Sequence, residues 1–168
     1  IHEKKPVTLL SNQSLIAHRG SRLEGLPENT LAAFQDAAKH AHILELDVCL
    51  TADNEVIVHH DDTFSRMTSN ANTKRCIEVK HSELPKLLPI DVQNYRIHEY
   101  NFDDCHRIPT LERILQSLPS DTHLLIEFKQ DSDVLIKKVH DMLAKYNRLK
   151  DHQDYWYCLK EPLNRKLR

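Results

Sequence analysis

Twenty-three Lys and Arg against 25 Asp and Glu give the 168-residue chain a formal charge of −2, without the basic excess of a nucleic-acid-binding surface. Gly20 and Gly25 are the only glycines, which excludes a glycine-rich phosphate cradle, and no apolar run approaches the ~18 residues of a membrane span. The length suffices for one domain with its own core; a start at Ile1 rather than Met, with no apolar secretion signal, reads as a fragment or a processed product.

Residues 1–13 are polar and read as a lead-in, residues 14–150 as the domain, and residues 151–168 as a polar tail with no strand of comparable quality. A first short buried strand covers residues 14–17 and ends at His18. After a loop holding both glycines, Asn29 or Thr30 caps a helix to about residue 40, with Leu31, Phe34, Ala37 and Ala38 on its apolar face. Residues 43–48 form the second strand, whose alternation sets Glu45 and Asp47 on one face and Leu44, Leu46 and Val48 on the other. Residues 51–55 are a tight turn in which Asp53-Asn54 tolerates the left-handed conformation, and residues 56–59 are the third strand.

Residues 61–108 have no clear period; Pro85 and Pro89 limit any helix within 77–87 to a turn. An irregular segment of that length suits a lid or binding loop better than a linker. Pro109-Thr110-Leu111-Glu112 then opens a helix to about Leu118, with Leu111, Ile114, Leu115 and Leu118 at helical spacing. Residues 123–128 are the fourth strand, carrying Glu127 and followed by Lys129, and residues 133–147 an amphipathic helix with Val134, Leu135, Val139, Met142 and Leu143 inward. This order predicts an α/β domain with parallel strands. Cys49, Cys76, Cys105 and Cys158 are widely spaced, without a CxxC pair, and read as reduced thiols, the alternative being one disulfide.

Polar clusters crowd the exits of these apolar runs. Glu45 and Asp47 lie two strand rises apart, roughly 7 Å, close enough to hold one hard cation. Glu127 could supply a third oxygen; the alternative is that the acids form buried ion pairs with Lys129 or Arg19. Two carboxylates inside an apolar strand are costly without a cation, which favours a metal. His18 and His60 follow strands in the same way and could act as a proton acceptor and donor across a substrate, since imidazole titrates near neutral pH. Alternation aims His59 to the opposite face. Arg19 offers a planar fork for phosphate oxygens and Lys129 a point charge. Asp61 suits the orienting of His60, whereas Asn29 either contacts the site or caps its helix.

In order and spacing, His18-Arg19-Gly20, Pro27-Glu28-Asn29-Thr30, Glu45-x-Asp47, His60-Asp61, Arg66-x-Thr68, residues 108–112 and Glu127-x-Lys129 resemble the glycerophosphodiester phosphodiesterase family. The likeness spans residues 14–148. Leu135-Ile136-Lys137-Lys138-Val139 and Lys145-Tyr146-Asn147-Arg148 look most like its animal lysophospholipase D branch. The resemblance implies a (β/α)8 TIM barrel with its site at the C-terminal strand ends. The chain would hold about the first four strands, since a complete barrel needs about 250 residues.

It also implies a divalent cation, Mg²⁺ or Ca²⁺, on Glu45, Asp47 and Glu127, with His18 and His60 as the acid–base pair and Arg19 on the phosphate. The implied substrates are glycerophosphodiesters or lysophospholipids. The implied location is intracellular, with membranes reached through segments outside this chain. Asn54 stands where the family usually has glycine. The competing expectation is a non-catalytic binding or regulatory fragment of such an enzyme.

Overall fold

In the computed structural model, residues 15–21, 26–88, 107–149 and 154–157 are described. The lead-in, Pro89, Cys105 and Cys158 lie outside them. The strands β1 (Ile16–His18), β2 (Ile43–Leu50), β4 (His123–Phe128) and β5 (Asp154–Tyr157) pair in that order, each parallel to its neighbour. The strand β3 (Val56–Val58) joins off this path. Among the described residues there are three α-helices, α1 (Leu31–Ala37), α2 (Leu111–Ser117) and α3 (Asp133–Lys145).

Alternation along β2 and β4 builds two unlike faces. Leu44, Leu46, Val48, Leu124, Ile126 and Phe128 are buried against Phe34, Ile114, Leu135, Val139 and Leu143 of the helices. The intervening side chains, Glu45, Asp47 and Glu127, share the other face and are buried as well. Register aligns them: His18 lies opposite Glu45, Asp47 opposite Glu127, and Glu127 opposite Tyr157.

Several sequence expectations change. The third strand is antiparallel to β2, because a five-residue turn cannot make the crossover that a parallel pair requires. It pairs with Val48–Leu50, the part of that β2 edge beyond the reach of β1. The first strand is not buried: Ile16 is 48% and Leu15 55% exposed, since β1 is an edge strand among the described residues. Helix α1 ends at Ala37, and residues 38–40 continue as a turn. On α3, Leu135, Val139 and Leu143 point inward as expected, but Val134, one residue off that stripe, is 49% exposed.

The segment after Asp151 supplies β5, the fourth parallel strand, where the sequence reading had none. Arg148 anchors it. This buried guanidinium pairs with Asp154 at 2.7 and 2.8 Å and also donates to the carbonyls of Ser120 and Thr122. Between residues 61 and 88 the chain makes short 3₁₀ turns rather than helices. It nevertheless packs a second apolar cluster, in which Phe64, Met67, Cys76, Val79 and Leu87 meet Cys49, Ile57 and Ile108. No helix among the described residues is long and apolar enough to cross a membrane.

Candidate active site

The turn after β1 places the first candidate residues. Arg19 adopts φ 60° and Gly20 φ 86°. A Cβ on Gly20 would stand 2.9 Å from the Ala33 backbone, so α1 can close on this turn only if residue 20 is glycine. Closure lets the Arg19 N–H donate to Glu45 Oε2 at 3.0 Å. Thr30 is the cap of α1, accepting from the Ala33 N–H. Asn29 is thereby free to contact the site. At φ 58° it donates through Nδ2 to Asp47 Oδ2 at 2.8 Å and accepts from the Asp47 N–H at 3.3 Å.

Glu45, Asp47 and Glu127 each offer a carboxylate oxygen, and these oxygens lie within 4.8 Å of one another. Their neutralisation is uneven. Lys129 Nζ pairs with Glu127 Oε1 at 2.9 Å and stands 3.6 Å from Asp47 Oδ1. Arg19 Nε approaches Asp47 Oδ2 at 3.3 Å without hydrogen-bond geometry. The ion-pair alternative is therefore realised in part, at Asp47 and Glu127. Glu45 has neither cation: its partners are the Arg19 N–H, the Tyr157 phenol at 3.0 Å and, more distantly, His18 Nε2 at 3.9 Å. Burial, reinforced by the charge of Asp47, pushes the Glu45 carboxyl up to about 7. Burial also opposes ionisation of Glu127, but Lys129 and then Tyr157 hold it below the usual carboxylate value.

Two of these observations fit a cation. Among the described residues, Asp47 Oδ1 is buried and accepts no hydrogen bond, and Glu45 is a buried acid with no Lys or Arg partner. Three hard oxygen donors at this spacing suit Mg²⁺ or Ca²⁺ and none of the softer metals.

The histidines sit on either side of this cluster's register. His18 ends β1 beside Glu45, its side chain half exposed. His60 follows β3, and its Nδ1 meets Asp61 Oδ1 at 2.6 Å. Arg66 Nε binds the other oxygen of Asp61 at 2.7 Å, and Arg66 Nη2 binds Glu28 at 2.5 Å. Glu28 in turn receives Arg19 Nη1 at 3.2 Å. A continuous relay, Arg19–Glu28–Arg66–Asp61–His60, thus ties the two halves of the site together. Burial opposes it, but Arg66 and His60 hold Asp61 down to about 2, and Arg66 and Arg19 depress Glu28 likewise. His59 is buried elsewhere, its Nε2 on the Thr63 carbonyl at 3.2 Å and its ring 5.0 Å from that of Phe64.

Sequence reasoning left Glu28 without a role and passed over Tyr157. Glu28 stood inside a quoted motif, but only the folded chain brings Arg66 to it. Tyr157 belongs to an Asp-Tyr-Trp-Tyr run whose aromatic content was the available strand signal.

The spacing of these residues has close parallels. A profile of the glycerophosphoryl diester phosphodiesterase family matches residues 18–165. The chain belongs to this family. Human lysophospholipase D GDPD1 is 38% identical over 159 residues, covering 93% of this chain and 48% of that protein. The crystal structure of the glycerophosphodiester phosphodiesterase of Agrobacterium tumefaciens superposes with a TM-score of 0.69 at 25% identity, covering 92% of this chain and 61% of the other. An Oleispira antarctica phosphodiesterase, solved with its product sn-glycerol-3-phosphate, gives 0.69 at 24% identity, covering 89% of this chain and 58% of the other. The chain spans about half the length of the curated relatives it matches. Its fold over that span is that of the family's (β/α)8 barrel, with Asp47 and Glu127 opposite each other toward the C-terminal ends of their parallel pairing and Glu45 two residues before Asp47 on β2.

Proposed function

We propose that this glycerophosphoryl diester phosphodiesterase domain serves the metal-dependent hydrolysis of a phosphodiester, in a glycerophosphodiester or a lysophospholipid. The observation that carries the reading is the acid cluster on adjacent strands, with one buried carboxylate that no described Lys or Arg neutralises and one buried carboxylate oxygen that accepts no hydrogen bond, near His18 and His60. Glu45, Asp47 and Glu127 would hold one divalent cation, Mg²⁺ or Ca²⁺, which when bound neutralises phosphate charge and lowers the pKa of an attacking oxygen.

The chain's own groups supply the rest. Ionised Asp61 accepts from His60 Nδ1, which leaves Nε2 with the lone pair needed to take a proton. Arg66 keeps Asp61 ionised and aimed. His18 is the second acid–base group, placed beside Glu45 to give a proton to the departing alcohol. Arg19, fixed at one end by Glu28, and Lys129, beside Glu127, are the cations for phosphate oxygens. The lysophospholipid choice follows the human relative's name and the branch motifs at residues 135–139 and 145–148. No nucleic-acid partner is proposed, in keeping with the charge of −2.

The test is release of choline from glycerophosphocholine and lysophosphatidylcholine by the protein with Mg²⁺ or Ca²⁺, and its loss on chelation. Turnover that a chelator leaves untouched would refute the assignment. The competing expectation is a binding or regulatory role in which cation and phosphate are held without turnover. Cation binding by calorimetry with no choline release would select it.

A further inference from the structure

We propose that Tyr157 is a positioning residue of the acid cluster, its phenol tying Glu45 of β2 to Glu127 of β4 at the spacing from which both can ligate one cation. The inference rests on the cation reading above and extends it to a residue from a third strand. Tyr157 Oη lies 3.0 Å from Glu45 Oε1 and 3.1 Å from Glu127 Oε2. Register explains the reach: Tyr157 stands opposite Glu127, which stands opposite Asp47, so the three occupy one row on one face of the sheet.

The two carboxylates depend on this phenol unequally. Glu127 keeps Lys129 on its other oxygen, whereas among the described residues Oε1 of Glu45 has no hydrogen-bond partner but Tyr157. Without the hydroxyl, Glu45 would retain one anchor, the Arg19 N–H on Oε2, and be able to turn about it. A phenol has one proton to donate. That proton is shared between the Glu45 and Glu127 oxygens, and the hydroxyl brings no positive charge that would compete with a cation, as a lysine there would.

Folding of β5 does not need this hydroxyl. The strand is held by the Arg148–Asp154 pair and by the ladder to β4. On the opposite face, Trp156 packs its ring 6.0 Å from that of Phe128 and 6.1 Å from that of His140. The role assigned to Tyr157 is thus separable from packing.

Calorimetric titration of Mg²⁺, and separately of Ca²⁺, into the metal-free wild-type chain, Y157F and Y146F is the test. Tyr146 also bridges two side chains through its hydroxyl, accepting from Gln116 at 2.8 Å and donating to Glu112 at 3.1 Å, neither of which belongs to the acid cluster. The expected result is a Kd raised about 10- to 100-fold in Y157F, the usual range for losing a partner of a metal ligand, and unchanged in Y146F. The thermal midpoint of metal-free Y157F should stay with that of Y146F.

Equal affinity in wild type and Y157F overturns the inference and leaves the cation site standing. Tighter binding in Y157F also overturns it, making the phenol a competitor for the cation's place. No binding by the wild type overturns both. Should Y157F unfold, Y157H, which keeps a ring donor, decides: affinity partly restored supports positioning, and none restored in a folded chain overturns it in favour of packing.

Discussion

The two faces of one sheet are built by the same strands and obey opposite rules. On the helix side, Leu44, Leu46, Val48, Leu124, Ile126 and Phe128 are almost fully buried, and every one has apolar neighbours. On the other side, Glu45, Asp47 and Glu127 are just as buried, yet they crowd like charges that Lys129 and Arg19 only partly offset. The first face holds the fold together; the second is tolerated because of it. Period-two alternation lets one eight-residue strand carry both tasks without compromise between them.

The sharpest way to break this contrast is to change one residue on each face. Glu45→Gln should abolish cation binding, measured by calorimetry, while metal-free stability in urea holds or rises, because a buried like charge has gone. A large loss of metal-free stability would mean that Glu45 belongs to the structural face. On the helix side, Leu46→Ala should cost ~2–5 kcal/mol of unfolding free energy, a large part of the ~5–15 kcal/mol typical of a domain. A cost below 1 kcal/mol would show that the apolar face is not where stability resides.

The histidines sharpen the same point within two adjacent residues. His60→Ala should lower turnover by at least ~10²-fold with folding intact. Changing His59, whose ring lies against Phe64, should act on thermal stability and far less on turnover. Equal losses of turnover would place both rings in the site.

The smallest expected effect concerns the relay that supports His60. Asp61 sits at about 2 rather than its ordinary 3.8, so its pairs contribute stability above about pH 4 that is lost as pH falls toward 2. Asp61→Asn should remove an acid-labile contribution of order 1 kcal/mol, the solvent exposure of these pairs being allowed for. Identical acid-unfolding curves for the two chains would detach the relay from stability.

Much of the site was legible along the chain because alternation and helix spacing are local. Glu45 and Asp47 share a face for the same reason that Leu44 and Leu46 share the other, and no distant residue is needed to see it. Asn54 was readable as a left-handed position and has φ 60°. The capping of α1 was legible only as a choice between Asn29 and Thr30. Sterics of the folded turn settled it, since Asn29 takes a positive φ and turns to Asp47. The direction of β3 and the exposure of β1 depend on which edge of β2 is taken, and local patterning says nothing of edges.

By itself, then, the sequence determined the acid row on β2, the matching acid on β4, the histidines that follow two of the strands and the apolar stripes of the helices. Each is a periodic pattern within a few residues. Only the tertiary structure decided that Glu28 meets Arg66 across 38 positions, or that Tyr157 reaches Glu45 across 112. Such contacts come from strand register and from anchors such as Arg148–Asp154. Their closeness in space is a property of the sheet, which leaves no period in the chain to be read.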